Sequence, residues 1–234
     1  MADPRLAPTA TLLPPLAAGS ILAVFGKPKW GFLMEWTLRR LGYRMGERYW
    51  DWRFGLRTYD YFPTGQLGSP DDGAAYEPVP FPLLLRLFRA IPAEFRGCGF
   101  LDYGCGLGRV LFVAHRRGYE PVLGVEISEF LCERARRNLA NTSASIVRSH
   151  AADLAIPTAV RVFFLFNPFV GETLEAVILR IEAHAVAVGH CLVIAVNLRN
   201  LGPALERSSQ IERLRYGPSA DAYDWGLYRI RSGR

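Results

Sequence analysis

The residues best suited to chemistry stand close together. Between Phe100 and Val110 the chain reads FLDYGCGLGRV, which places Asp102 ahead of Gly104, Gly106 and Gly108 in alternation, with Cys105 inside the turn. The apolar run before Asp102 reads as a strand and the residues from Arg109 as a helix. Glycines at that junction let the backbone approach a ligand closely and let free helix N–H groups face it. A second apolar run, VLGVEIS, ends on Glu126, 22 residues after Gly104. A carboxylate at that strand tip can accept hydrogen bonds from both hydroxyls of a ribose. Asp153, in SHAADL after a third run, can accept from an adenine amine, and a turn or cap role competes with that reading.

Two cofactors use such turns. A nicotinamide dinucleotide expects Gly-x-Gly-x-x-Gly, but counted from Gly104 the last position is Arg109, and Asp102 would set a carboxylate near the pyrophosphate. S-adenosylmethionine carries an ammonium and a sulfonium, so the same carboxylate becomes an attraction. The second ligand is the better match.

The elements that position these residues follow from the pattern of the chain. After Gly97 short apolar runs alternate with helical segments: GFLDYG, RVLFVAHRRG, PVLGVEIS, EFLCERARRNLA, ASIVRSH, VRVFFLFNPF, GETLEAVILRIEAHAVA and HCLVIAVNL. Alternation at this spacing predicts an α/β, Rossmann-like parallel sheet with helices on both faces. QIERLRY and DWGLYRIRS, joined by Gly217, Pro218 and Ser219 with no helix between, predict an antiparallel hairpin at the edge, bringing the sheet to seven strands. PLLLRLFRAI predicts a helix opened by proline. Upstream, Met34, Leu38, Leu41, Met45 and Tyr49 form one helical stripe from Trp30 to Tyr49, interrupted by Gly42 and Gly46. The expected organisation is a flexible segment 1–25, a helical cap and connecting loop 26–96, and a cofactor-binding domain 97–234.

The 234 residues, half of them hydrophobic, suffice for one compact core. Trp30, Trp36, Trp50 and Trp52 share residues 27–57 with eight basic and three acidic side chains. Such a segment caps a core, or makes a peripheral contact with a nucleic acid or membrane surface. Cys98, Cys105, Cys132 and Cys191 form no Cys-x-x-Cys pair, and no metal-ligand cluster is evident. Cys105 sits where a thiolate would be favoured, although a small side chain in a crowded turn is the simpler reading. Of His115, His150, His184 and His190, only His150 falls on the expected cofactor side. Pro14 and Pro15 break the apolar N-terminal run, which is too short to span a bilayer; a cytoplasmic location is the expectation.

Asp102-x-Gly104-x-Gly106-x-Gly108, Glu126, Asp153 and a strand ending in Asn167-Pro168-Phe169 together resemble the class I S-adenosylmethionine-dependent methyltransferase family. The resemblance covers roughly Gly97 to Arg234. It implies a methyl transfer that yields S-adenosylhomocysteine, with Asp102, Tyr103, Gly104, Cys105, Gly106, Gly108, Glu126, Ile127, Asp153 and Asn167 around the cofactor. Asn167-Pro168-Phe169 resembles the Asn/Asp-Pro-Pro-aromatic motif of amino-group methyltransferases without its second proline. That implies a catalytic place for Asn167 and Phe169, with a nitrogen or oxygen as the methylated atom. DWRFGLRT from Asp51 to Thr58, with Tyr76-x-Pro78, is similar to a group of small bacterial methyltransferases and implies that the N-terminal segment closes over the cofactor, where Arg53 and Tyr76 could reach it. The acceptor stays open between small molecule, protein and nucleic acid. The alternatives are a nicotinamide-dependent oxidoreductase and a non-catalytic nucleic-acid- or membrane-binding protein that retains the fold.

Overall fold

The computed structural model describes residues 29–68, 72–218 and 223–232, with side chains from residue 41 onward. The expected flexible segment 1–25, Ser219 of the hairpin turn and the side chains of Trp30 and Trp36 lie outside the described residues. Residues 39–234 form one compact unit and residues 1–38 a separate one.

Among the described residues seven strands make one sheet: β1 (Gly99–Tyr103), β2 (Val122–Glu126), β3 (Ser145–Arg148), β4 (Val160–Phe166), β5 (His190–Val196), β6 (Ile211–Gly217) and β7 (Trp225–Arg231), in the order β3-β2-β1-β4-β5-β7-β6. The first five are parallel, whereas β7 runs antiparallel to both β5 and β6. From β1 the chain winds outward through β2 and β3, then returns to place β4 on the other side of β1. That reversal opens a crevice at the carboxyl ends of β1 and β4, where ligands bind in sheets of this kind.

Period-two alternation sorts the strand residues between two layers. Phe100, Val162, Phe164, Leu192 and Ile194 pack with Leu84 and Leu87 of α2 (Phe81–Ala90) and Leu111 of α3 (Arg109–Arg116). Leu101, Tyr103, Phe163, Leu165 and Val193 pack beneath Val177, Ile178 and Ile181 of the long helix Gly171–Val188. The expected boundary at 96/97 lies inside the first layer, since Phe81, Leu84 and Phe100 share one core.

The helix expected to end at Tyr49 runs as α1 from Lys29 to Phe54. Neither Gly42 nor Gly46 stops it. Its face of Glu47, Trp50, Asp51 and Phe54 is seated on the domain, and tertiary packing outweighs glycine propensity. The remaining helices are α4 (Glu129–Asn138), α5 (Gly171–Val188) and α6 (Leu198–Leu205). The last holds Pro203 inside it and lies in a stretch for which the sequence pattern assigned no element; burial of Leu198, Leu201 and Leu205 on one face holds the turn in spite of the proline. No helix among the described residues is long and apolar enough to cross a membrane.

Candidate active site

At the crevice, Asp102 shares its sheet face with Phe100 and points away from Leu101 and Tyr103. Its side chain is 3% exposed and lines the cavity. No hydrogen bond or ion pair reaches it among the described residues. Burial, reinforced by the nearby Glu126 charge, pushes its carboxyl well above the usual range. A buried carboxylate without a partner is costly, and a cation in the cavity would offset that cost.

Glu126 differs in that its oxygens are engaged. Oε2 accepts from the Gly106 N–H at 3.0 Å, and Oε1 accepts from the N–H groups of Ile127 at 2.9 Å and Ser128 at 3.0 Å. Burial raises its pKa, and these three donors oppose the shift without cancelling it. The carboxylate thereby ties the glycine turn to the tip of β2 and holds both in place. Three of the carboxylate's four lone-pair sites are thereby taken, two on Oε1 and one on Oε2, so Oε2 keeps capacity for one further donor.

The turn between β1 and α3 depends on backbone that an L side chain rarely adopts, with φ of 71° at Gly104 and 51° at Gly106. At Gly106 there is also no room: a Cβ would fall within the ring of Tyr76. Gly106→Ala is therefore expected to destabilise the chain by about 1–3 kcal/mol through φ strain and displacement of the ring. Tyr76→Ala in the same chain should recover the steric part alone, and thermal unfolding of the three variants checks both.

Of the residues anticipated from sequence, Asp102, Gly104, Cys105, Gly106, Glu126, Ile127, Asn167 and Phe169 line one cavity. Three do not. Tyr103 faces the opposite layer, stacked on Phe163 with ring centroids 6.3 Å apart, because neighbouring strand residues alternate sides. Gly108 starts α3 and lies against Leu139. Asp153 closes a short 3-10 turn, Ala151–Asp153, and is exposed to solvent; Ser149, His150 and Ala151 face the cavity in its stead. Arg53 is likewise exposed and outside the lining. Cys105 is 6% exposed and burial pushes its thiol well up, so the turn holds a small neutral side chain rather than a thiolate. Among the described residues no group of His, Cys, Asp or Glu is arranged to hold a metal.

His150 begins the 3-10 turn with its ring. Nδ1 accepts from the Ala152 N–H at 3.3 Å, and Nε2 lies 3.4 Å from Thr173 Oγ1. With Nδ1 turned to the Ala152 N–H, it is Nε2 that the ring presents to Thr173.

A buried ionic cluster behind the glycine turn escaped the sequence reading. Arg109, 3% exposed, pairs with Glu47, donates from Nη1 to the Val79 carbonyl at 2.9 Å and from Nε to Thr58 Oγ1 at 2.7 Å, and lies 3.3 Å from Asp51. Its guanidinium also stacks 4.1 Å from the Phe81 ring centroid. Asp51 accepts from the N–H groups of Thr58 and Tyr59 and from the Thr58 hydroxyl, and Glu47 from the Phe81 N–H. The Tyr76 hydroxyl donates to the Thr58 carbonyl at 2.7 Å, which sets its ring against Gly106. Sequence showed Arg109 only as the residue that breaks a dinucleotide motif. The available signal was the pair Glu47 and Asp51, four apart on a helix that is basic on balance.

The opposite wall is β4 and the turn beyond it. Asn167 adopts φ 44°, and its Oδ1 accepts from Asn200 Nδ2 at 2.9 Å. The segment at 72–74 lies along this turn: the Ala74 N–H donates to the Pro168 carbonyl at 3.2 Å and the Val170 N–H to the Asp72 carbonyl at 3.1 Å, with Gly73 bridged to Phe169. The carboxylates of β1 and β2 thus face, across one cavity, a strand end that offers hydrogen-bond acceptors.

Residues 100–186 match the family model described as a methyltransferase domain. Comparison with curated proteins finds no match. The chain is similar in fold to an RNA methyltransferase from Salinibacter ruber solved in complex with S-adenosyl-L-homocysteine, at 16% identity and a TM-score of 0.53, over 68% of this chain and 96% of the other. It is also similar to yhhF of Escherichia coli, an inferred methyltransferase, at 18% identity and a TM-score of 0.51, over 67% of this chain and 92% of that one. The family match marks residues 100–186 as similar to a methyltransferase domain, and the likeness to the two solved methyltransferases is one of fold.

Proposed function

We propose that this chain transfers the methyl group of S-adenosylmethionine to a nitrogen or oxygen that carries a proton, on an acceptor admitted to the cavity between Asp102 and Asn167. The observation that supports it most is the buried, unpartnered Asp102 carboxylate, whose charge suits a ligand bearing an ammonium and a sulfonium. Asp102, Gly104, Gly106, Glu126 and Ile127 would hold the cofactor, with Glu126 Oε2 accepting from a ribose hydroxyl. The cofactor supplies an electrophilic methyl carbon; its bond to sulfur breaks as the acceptor's lone pair bonds to it, leaving S-adenosylhomocysteine.

The chain's own part is to orient and to exclude water. Asn167 Oδ1 and the Pro168 carbonyl are acceptors, so the acceptor atom must present a proton to them, which limits it to N–H or O–H. Each of these oxygens already takes one bond, from Asn200 and Ala74 respectively, and each has a second lone pair to offer. The acceptor's proton leaves to solvent.

Isothermal titration with S-adenosylhomocysteine and, separately, with NADH tests the cofactor. Binding of the first alone supports the reading, and binding of NADH alone overturns it. Incubation of fractionated extract with radiolabelled methyl donor tests turnover, and label incorporated by the wild type and lost in Asp102→Ala is the expected result. Asn167→Ala should lower kcat by roughly 10- to 100-fold and leave S-adenosylhomocysteine affinity within about twofold. An equally active variant would reduce Asn167 to a turn residue.

A further inference from the structure

One face of α1 serves neither the core nor the cavity. At about 100° per residue, Glu47, Trp50, Asp51 and Phe54 share the side seated on the domain. Leu41, Met45, Tyr49 and Trp52 gather within roughly 80° of arc on the opposite side, where they are 53%, 64%, 53% and 75% exposed. Arg44 and Arg48 flank this ridge on one side and Arg53 on the other; all three are exposed and have no ion-pair partner among the described residues. Glu47 and Asp51, the acidic residues of this stretch, are drawn into the buried cluster at Arg109. Among the described side chains, residues 41–54, the outward face is therefore apolar along its crest and cationic at its shoulders.

We propose that this face docks α1 onto an anionic lipid surface. An apolar crest with a tryptophan and a tyrosine, bordered by arginines whose long stems carry their charge to the height of the headgroups, is the chemistry of a helix lying in a bilayer interface. An RNA would use the arginines and the two rings, but Leu41 and Met45 have no π-face on which a base can stack, and they make up half of the ridge. The underside of the helix is fixed through Arg109 and Phe81, so docking requires no rearrangement of the domain. A single ridge with three flanking charges gives weak, reversible adsorption that needs both the apolar and the electrostatic contribution. The inference is independent of the acceptor and of the methyl-transfer reading.

Co-sedimentation of the full chain with phosphatidylcholine vesicles, with and without phosphatidylglycerol, tests it. The expected result is partition onto the phosphatidylglycerol vesicles, weakening as salt is raised, with little partition onto phosphatidylcholine alone. The pair Met45→Glu and Trp52→Glu, and separately Arg44→Glu with Arg48→Glu, should each lower that partition roughly tenfold or more. Both pairs should keep the wild-type melting temperature and S-adenosylhomocysteine affinity, because these side chains lie outside the core and the cavity. Failure to partition onto either vesicle, or variants that partition like the wild type, would overturn the proposal. So would tight, salt-sensitive binding of single-stranded RNA that survives Met45→Glu and is lost with the arginines, since it would assign the face to nucleic acid.

Discussion

Asp102→Asn is expected to weaken S-adenosylmethionine binding about 30-fold or more and, at the same time, to make the ligand-free chain more stable. Both effects come from one feature, a buried carboxylate that lines the cavity and has no partner of its own among the described residues. Asparagine keeps the shape and discards the charge. The loss in affinity is that of removing one member of a desolvated charge pair. The gain in stability, about 1–3 kcal/mol at neutral pH, is that of no longer burying an uncompensated carboxylate.

The dependence on pH follows from the direction of the Asp102 shift. Its pKa in the folded, ligand-free chain lies above that in the unfolded chain, because burial and the Glu126 charge disfavour the carboxylate. Its contribution to stability is therefore full below the unfolded value and is lost as pH rises through the folded value. Cofactor binding runs the other way. A cation selects the ionised form, so affinity climbs with pH toward the folded pKa, by at most about tenfold per unit, and then levels off. Titration calorimetry in buffers of different ionisation enthalpy should show a proton released on binding within that window. Asp102→Asn should flatten the profile and abolish the release. A variant that binds S-adenosylmethionine as the wild type does would place the cation elsewhere.

What could be read from the sequence was whatever is encoded locally. Gly104 and Gly106 announce a positive-φ turn, and Asp102 and Glu126 announce strand tips, because each signal lies within a few residues of the geometry it specifies. The alternation of strand and helix that builds a parallel sheet was legible for the same reason, as was the hairpin of β6 and β7. Side-chain direction was not. Tyr103 sits between two cavity residues and faces the other layer, and Asp153 is carried into solvent by a turn that presents His150 and Ala151 to the cavity. α6 was hidden because a proline inside a short helix is tolerated only when burial of its apolar face outweighs the lost hydrogen bond. The Arg109 cluster was the least accessible: its members lie 62 and 58 residues apart along the chain, and neither helix periodicity nor motif spacing carries information over that distance.

That cluster sets the second large expectation. Arg109→Met keeps much of the side chain's length and apolar contact with Phe81 but strands Glu47 and Asp51, which are 1% and 7% exposed. Removing one partner from a buried ionic group costs about 3–5 kcal/mol, since the remaining charges lose their compensation and not merely an attraction. Urea unfolding should show stability lower by that amount, read as a lower midpoint with an unchanged slope. Cofactor affinity should fall with it, because Arg109 and Thr58 together hold Tyr76 against Gly106, and Gly106 is tied in turn to Glu126. The charge reading is separated from simple loss of packing by a compensated variant, Arg109→Met with Glu47→Gln and Asp51→Asn. If stranded charge is the cause, the triple variant recovers most of the lost stability, because neutral amides are far less costly to bury. If it unfolds as readily as Arg109→Met alone, the guanidinium is needed for its hydrogen bonds to Val79 and Thr58, and the segment over the glycine turn is held by donors rather than by charge. Recovered stability without recovered affinity would show that the cluster does two separable things: it holds α1 to the domain, and through Thr58 it aims Tyr76 at the turn.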